Sequence, residues 1–475
     1  MSKAGSAEAL AQFEENAKRP FGMRDKIGYA AGDFANDLTF VIAAMFMMKF
    51  YTDVMGVAPA IVGALMMAAK VVDAFTDVAM GQICDRSPYT AKGKFAPWVR
   101  RFAGPVAVAS FLIFAPYFAD KPMGFKIFWM FFTYLLWGSV CYTGVNIPYG
   151  SMASAITDDA KQRTELSTWR NVGATVAQII IVVVLPLVVY TKNDQGQSVL
   201  SGPKTMMASA VCSVLAFLVY MVCYHLSTER VKLENKKGEQ KNVAQLFGII
   251  FTDRAFLGII ISALFLLLAQ LTLSNMMNYI YPNYFNNTAF LSISGLVGCG
   301  IVLVLSTFVT KLAERFGKKE LASAGALVAA VMQVVAFTIH THNVVVYIVL
   351  YCITYAGMGF FNLLCWAMII DVIDEIEVRD HLRSDGTVYS VYSFARKLGQ
   401  AASSGISGVM LTAAGYTAAT AFDTAVVNNI YSLSTIVPGI LFGCMALSLF
   451  FIYPLTRSKV NKNIQTLKER REGKE

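Results

Sequence analysis

Apolar residues run along this chain in stretches long enough to cross a bilayer as helices, and short charged patches separate them. The runs predict twelve helices, near 28–52, 58–84, 98–118, 127–156, 166–190, 204–226, 250–280, 290–311, 320–339, 343–373, 388–413 and 430–454. Residues 1–26 are polar and charged and hold no apolar stretch ahead of a small-residue cleavage site, so no cleavable signal is expected. The longest charged connection, STERVKLENKKGEQKN, falls between the sixth and seventh runs. The expected organisation is therefore an N-terminal segment (1–27), a six-helix bundle (28–226), a central loop (227–249), a second six-helix bundle (250–454) and a tail (455–475).

The two halves echo one another. Asn146 is followed by Asp158 and Arg163, and Asn362 is followed at the same offsets by Asp374 and Arg379. The basic loop GQICDRSPYTAKGKF after the second run returns after the eighth as KLAERFGKK. The fold class this predicts is an all-α membrane protein of two pseudo-symmetric six-helix bundles, the plan of transporters that rock around a central site.

Composition narrows the function. The chain is 56% hydrophobic and 15% charged, against about 25% charged in soluble domains, and its mean hydropathy is +0.53. A soluble enzyme is excluded. Lys and Arg crowd the two ends and every second connection, whereas the opposite side holds only Lys121, Lys126, Lys192 and Lys204. The positive-inside rule then places both termini in the cytoplasm. Anionic lipid accounts for the net charge of +9, so no nucleic acid is expected as a partner. The eight cysteines lie in apolar runs without CxxC or CxxH spacing, which supports neither a disulfide framework nor a zinc site. No GxxxxGK[ST], GxSxG or HExxH motif occurs, so neither ATP hydrolysis nor another enzyme activity is expected and no cofactor is implied. The driving energy must come from an ion gradient or from the solute's own gradient.

Several charges sit inside the runs, each at a cost of roughly 2.5 to 3.5 kcal/mol in a helix centre. They are Asp33 and Asp37 on the first helix, Lys70, Asp73 and Asp77 on the second, Arg170 on the fifth, and Arg396 with Lys397 on the eleventh. Six such charges alone cost on the order of 15 to 20 kcal/mol, which a purely structural membrane protein would not retain. Lys70, Asp73 and Asp77 share one helical stripe. Two carboxylates one turn apart can share a proton or a small cation, with Thr76 and Thr143 as neutral oxygens to complete a Na⁺ shell. For Na⁺, Asp73 and Asp77 are the metal ligands; the charge of Lys70 favours H⁺ instead. An internal salt bridge from Lys70 to one aspartate is the alternative, and it leaves the other carboxylate without a partner.

Asp37, Asn36, Asn146 and Arg170 are of the types that grip sugar hydroxyls. Tyr142, Tyr149, Trp169, Phe361, Trp366, Tyr389 and Tyr392 line the same segments, where aromatics more commonly pack helices. Asp158, Asp159, Asp371, Asp374, Glu375 and Glu377, close to Arg163, Arg379 and Arg383, are expected to form gating salt bridges between the halves. Lys49, near a helix end, is expected to snorkel.

These segments resemble the glycoside-pentoside-hexuronide:cation symporters, a branch of the major facilitator superfamily. The carriers of the resemblance are KIGYAAGDFAND, YTDVMGV, VVDAFTDVAMGQICDR, GKFAPW, YTGVNIPYGSMASAITDD and DGTVYSVYSFARKLGQA. The resemblance implies a cation site of Asp73, Asp77 and Thr143, with Thr76 where melibiose carriers have Asn. It implies a sugar site of Asp37, Tyr142, Asn146, Arg170, Tyr392 and Lys397. Asn146 and Gly150 replace an Asp and a Trp of the melibiose carriers, which speaks against galactosides. VNIPYGS and YSFARKLGQA are closer to the glucuronide and xyloside carriers. The implied function is H⁺- or Na⁺-coupled symport of a sugar or glycoside by a monomer in a bacterial inner membrane, with the glycoside, the cation and membrane lipid as partners. A carrier of lipid or lysolipid on the same fold is the second reading; it calls for a more apolar cavity.

Overall fold

The computed structural model describes residues 3–232, 253–380 and 385–471. Its helices are α1 (Lys3–Ala17), α2 (Met23–Asp53), α3 (Pro59–Asp85), α4 (Ala96–Ile113), α5 (Met123–Ile156), α6 (Ala160–Val189) and α7 (Gly202–Leu226). They continue as α8 (Arg254–Tyr284), α9 (Ala289–Phe316), α10 (Lys318–Ile339), α11 (Val344–Asp380), α12 (Asp385–Ala413), α13 (Thr424–Ile452) and α14 (Arg457–Arg471). A two-stranded antiparallel hairpin, β1 (Tyr190–Lys192) with β2 (Ser198–Leu200), links α6 to α7.

Nine of the described helices are long and apolar enough to cross a membrane. With α3, α4 and α12 they make twelve, six in each half of the chain. Each predicted run holds a helix. The helix of the third predicted run, α4, ends at Ile113, short of the expected 118, and α13 begins at Thr424, ahead of the expected 430. Local chemistry sets the boundaries. Asp159 accepts from the Gln162 N–H at 2.8 Å to start α6, and Asp253 accepts from the Phe256 N–H at 2.7 Å to start α8. Gly317, at φ +101°, ends α9 and begins α10 within one residue, a conformation in which a side chain is strained.

The helices α1 and α14 lie in the N-terminal and tail segments, which carry no apolar run and for which no helix is predicted. Phe13 buries α1 by packing on Tyr89, ring centres 5.2 Å apart. On α14, Lys459 and Asn463 reach Glu375 at 2.5 and 2.6 Å. Much of the central loop, 233–252, together with Arg383 and the side chain of Tyr389, lies outside the described residues.

The chain forms two compact units, Met1–Lys236 and Lys237–Glu475. In the first, α2 packs on α6 and α7, α4 on α5 and α7, and α3 on α5. In the second, α8 packs on α12 and α13, α10 on α11 and α13, and α9 on α11. The sequence echo is thus repeated as a packing scheme. Close crossings are made by glycine: a Cβ at Gly173 would strike the Ala30 carbonyl, and Gly325 and Gly357 face one another backbone to backbone.

Two expectations are corrected. Lys49 does not snorkel; it is buried and pairs with Asp53 at 2.8 Å, because an acid one turn away satisfies it inside the unit. Several expected gating groups are intra-unit struts instead. Asp371 accepts from Lys318 at 2.7 Å, Glu375 from Lys459, and Arg379 donates to Asp253 at 2.6 Å. Asp159 is spent on the α6 cap, and Arg163 donates to the Thr157 carbonyl at 2.9 Å.

After α7 the chain lays Glu229 across the start of α4. Its carboxylate accepts from the N–H groups of Lys94, Phe95 and Ala96 at 2.7, 2.9 and 2.6 Å. Burial pushes this carboxyl from 4.5 up to about 7, against those three donors. The folded state therefore binds the proton more tightly than the unfolded chain, and this contribution to stability is lost as pH rises from about 4.5 to about 7. Thermal unfolding of the detergent-solubilised protein should show a melting temperature that falls over that interval. Glu229→Gln should flatten the fall; an unchanged slope in the variant contradicts the assignment.

Candidate substrate and cation site

The first unit gathers most of the predicted site. Helical periodicity puts Lys70, Asp73 and Asp77 on one stripe of α3, and α5 faces it with a π-turn over Leu136–Tyr142. A π-turn inserts one residue into an α-helix and redirects the side chains around it. It carries one hydroxyl towards α3, and the residue directly after it carries a second. Ser139 Oγ donates to Asp73 Oδ1 at 2.5 Å, and Thr143 Oγ1 lies 2.7 Å from Asp77 Oδ1 and 3.1 Å from the Gly138 carbonyl. Gly138 has no side chain, and a Cβ there would lie 3.3 Å from Asp73 Oδ1.

Lys70 hydrogen-bonds the Tyr134 hydroxyl, lies within electrostatic reach of both aspartates and sits 5.0 Å from the centre of the Phe40 ring. Thr76 is turned elsewhere, donating to the Asp73 carbonyl of its own helix at 3.1 Å. Three of the four predicted cation residues, Asp73, Asp77 and Thr143, therefore converge through side-chain hydrogen bonds. Ser139 and Tyr134 are additions that sequence reading missed. Ser139 and Thr143 are four residues apart, and that spacing was the available signal.

A second polar cluster lies on α2, α5, α6 and α7. Arg170 Nε pairs with Asp33 Oδ2 at 3.2 Å, and the guanidinium lies 5.5 Å from the centre of the Tyr149 ring. Tyr149 stacks on Tyr29 with ring centres 4.7 Å apart and donates to the Tyr29 carbonyl at 2.6 Å. Asn36 is buried, with Tyr220 donating to its Oδ1 at 2.7 Å while its Nδ2 reaches Asn146 Oδ1 at 3.4 Å. Asn36 thus orients Asn146, which is half-buried. Tyr142 stacks on Phe40 at 5.7 Å. Asp37 is half-buried and close enough to feel Asp33 and Arg170; it makes no hydrogen bond or ion pair among the described residues. Asp33, an intramembrane charge in the sequence but not a predicted site residue, is the partner of Arg170.

The second unit holds the remaining two. Tyr392 is fully buried; its hydroxyl lies 2.8 Å from Cys365 Sγ and 3.3 Å from Arg396 Nη1, and Trp366 meets its ring edge-on. Lys397 is half-buried on the same helix, α12.

The sequence profile described as MFS/sugar transport protein matches residues 28–457. The chain belongs to that family. Among its relatives, an uncharacterized symporter, YjmB, of Bacillus subtilis (strain 168) is 28% identical over 96% of this transporter and 97% of its own length. A glucuronide carrier protein homolog of Escherichia coli (strain K12) is 28% identical over 94% and 96% of the two chains. The isoprimeverose transporter of Lactiplantibacillus pentosus is 31% identical over 90% and 88%. The crystal structure of a D-xylose-proton symporter superposes with a TM-score of 0.59 over 90% of this transporter and 97% of that chain, at 15% identity, a likeness of fold. The transporter is an integral, multi-pass membrane protein and not an enzyme.

Proposed function

We propose that the chain is a cation-coupled symporter of a neutral sugar or glycoside, working by alternating access as a monomer in a bacterial inner membrane with both termini cytoplasmic. The carrying observation is the pair Asp73 and Asp77, each joined by a hydroxyl of α5. Carboxylates so placed can take and release a cation while the hydroxyls turn from donor to acceptor. The coupling ion is H⁺. Lys70 already brings a fixed positive charge to the aspartates, and Thr76 faces its own backbone, which leaves a poor shell for Na⁺.

The glycoside is held by Asp37, Asn146, Arg170 and Tyr142 of the first unit. The preference for a neutral substrate rests on charge. Asp33 neutralises Arg170, and the neighbouring carboxylate of Asp37 disfavours a second acid. The relatives named for a glucuronide and for isoprimeverose bracket the choice. The orientation is supported by the crowding of Lys and Arg on one side of the predicted spans.

Uptake of radiolabelled glycosides into proteoliposomes, in Na⁺ and Na⁺-free buffer at two pH values, tests the reading. Accumulation of a neutral glycoside that follows the pH gradient and ignores Na⁺ is expected, and competition by the matching glucuronide should be weak. Uptake that needs Na⁺ refutes the H⁺ assignment. Lys70→Gln should make accumulation Na⁺-stimulated, since the fixed charge is gone. Wild-type, Na⁺-insensitive accumulation by that variant removes Lys70 from the site.

A further inference from the structure

A groove of about 830 Å³ opens on the second unit between α10 and α13. On α10 it is lined by Lys319, Glu320 and Leu327, and on α13 by Gly443, Leu447 and Phe450, among other apolar and small residues. Leu327, Leu447 and Phe450 are all more than half exposed. In a membrane-spanning helix pair, such a wall faces hydrocarbon. From Lys319 to Leu327 the groove runs about 12 Å along α10 at 1.5 Å per residue, a length that takes the upper part of an acyl chain.

One end of the groove is charged. Lys319 lies at that end, and Arg254, at the start of α8, is close enough to repel it. Arg254 is held in place by donating to the Phe451 carbonyl at 2.6 Å, within the π-turn Ser448–Ile452 that closes α13. Neither cation makes an ion pair among the described residues. The acid opposite them is Glu320, whose carboxylate folds back over Gly317. Two positive charges thus stand against one negative charge. The first N–H groups of α10 point towards the same end, and its N-cap, Gly317, offers no side chain to accept from them. An anion placed there gains from both cations and from the helix terminus.

We infer that this groove is a binding site for an anionic phospholipid, with the phosphate at Lys319 and Arg254 and an acyl chain between α10 and α13. The occupant is a lipid and not a free phosphate, because the charged end opens directly into the apolar wall. None of these residues belongs to the proposed glycoside or cation site.

The probes are phosphatidylglycerol, phosphatidylcholine and glycerol 3-phosphate, each added to the purified full-length protein in detergent. The readouts are retained lipid by native mass spectrometry and the melting temperature. Wild type should retain phosphatidylglycerol at least tenfold over phosphatidylcholine and be stabilised by it, with glycerol 3-phosphate giving no shift. The double variant Lys319→Ala, Arg254→Ala should bring the retention ratio close to one. Gly443→Leu should lower phosphatidylglycerol retention with the cations intact; a Cβ at Gly443 meets nothing within 4 Å, so the variant should fold. Equal retention of both lipids by wild type overturns the inference. So does a double variant with the wild-type ratio, or a shift with glycerol 3-phosphate equal to that with lipid.

Discussion

Carriers with Asp73→Asn or Asp77→Asn are expected to bind and exchange glycoside yet to lose accumulation against a gradient altogether. Each substitution keeps the size of the side chain and an acceptor oxygen for Ser139 or Thr143, but removes the group that takes the cation. With no cation bound in the transition between states, nothing links the gradient to the sugar, and internal substrate should stop at the external concentration. The measurement is the steady-state ratio of internal to external label in proteoliposomes, with counterflow in the same vesicles as the control for binding. Concentrative uptake by both variants would falsify the cation assignment. Ser139→Ala should fall between, since it leaves the Asp73 carboxylate but removes its hydroxyl partner, and a buried group that loses a partner costs about 1 to 3 kcal/mol.

The second large effect concerns Arg170. Arg170→Ala deletes the cation that pairs with Asp33 at 3.2 Å and leaves Asp33 and Asp37 repelling one another one turn apart on α2. Glycoside binding should weaken five- to hundredfold, the equivalent of about 1 to 3 kcal/mol. Adding Asp33→Asn should recover melting temperature, because the leftover charge is gone, without recovering affinity. Isothermal titration and thermal unfolding on the single and double variants separate the two roles. If Arg170→Ala binds glycoside like wild type, the sugar site lies elsewhere. Asp37→Ala should show a loss of affinity of the same order with little loss of stability, since no hydrogen bond or ion pair among the described residues depends on it.

Much of this arrangement was legible before any coordinates. Apolar run length located the spanning helices because the bilayer leaves a buried backbone few alternatives. The stripe of Lys70, Asp73 and Asp77 followed from helical periodicity alone. Partners were harder to read, since they depend on packing between helices. Asp33 and Asp37 stand one turn apart and are chemically equal in the sequence, yet packing of α2 against α6 gives Arg170 to Asp33. Thr76 is the nearest hydroxyl in sequence to the aspartates, but its own helix carbonyl claims it. Asn36 carries the right groups for a sugar and spends them on Tyr220 and Asn146. The terminal helices α1 and α14 escaped because no apolar run marks them; they are held by a few contacts such as Phe13 on Tyr89.

The π-turn in α5 has a consequence for phase. One inserted residue rotates everything beyond it by about 100° relative to an uninterrupted α-helix. A helical wheel drawn from Met123 therefore misplaces Asn146, and one drawn from Ile156 misplaces Tyr134, although both residues sit on the same element. The inserted residue lets a single helix turn Ser139 and Thr143 towards α3 and still present Asn146 to α2. Deleting one residue between 136 and 142 would restore regular winding and put cation and sugar contacts out of register, with every one of those side chains still in the chain.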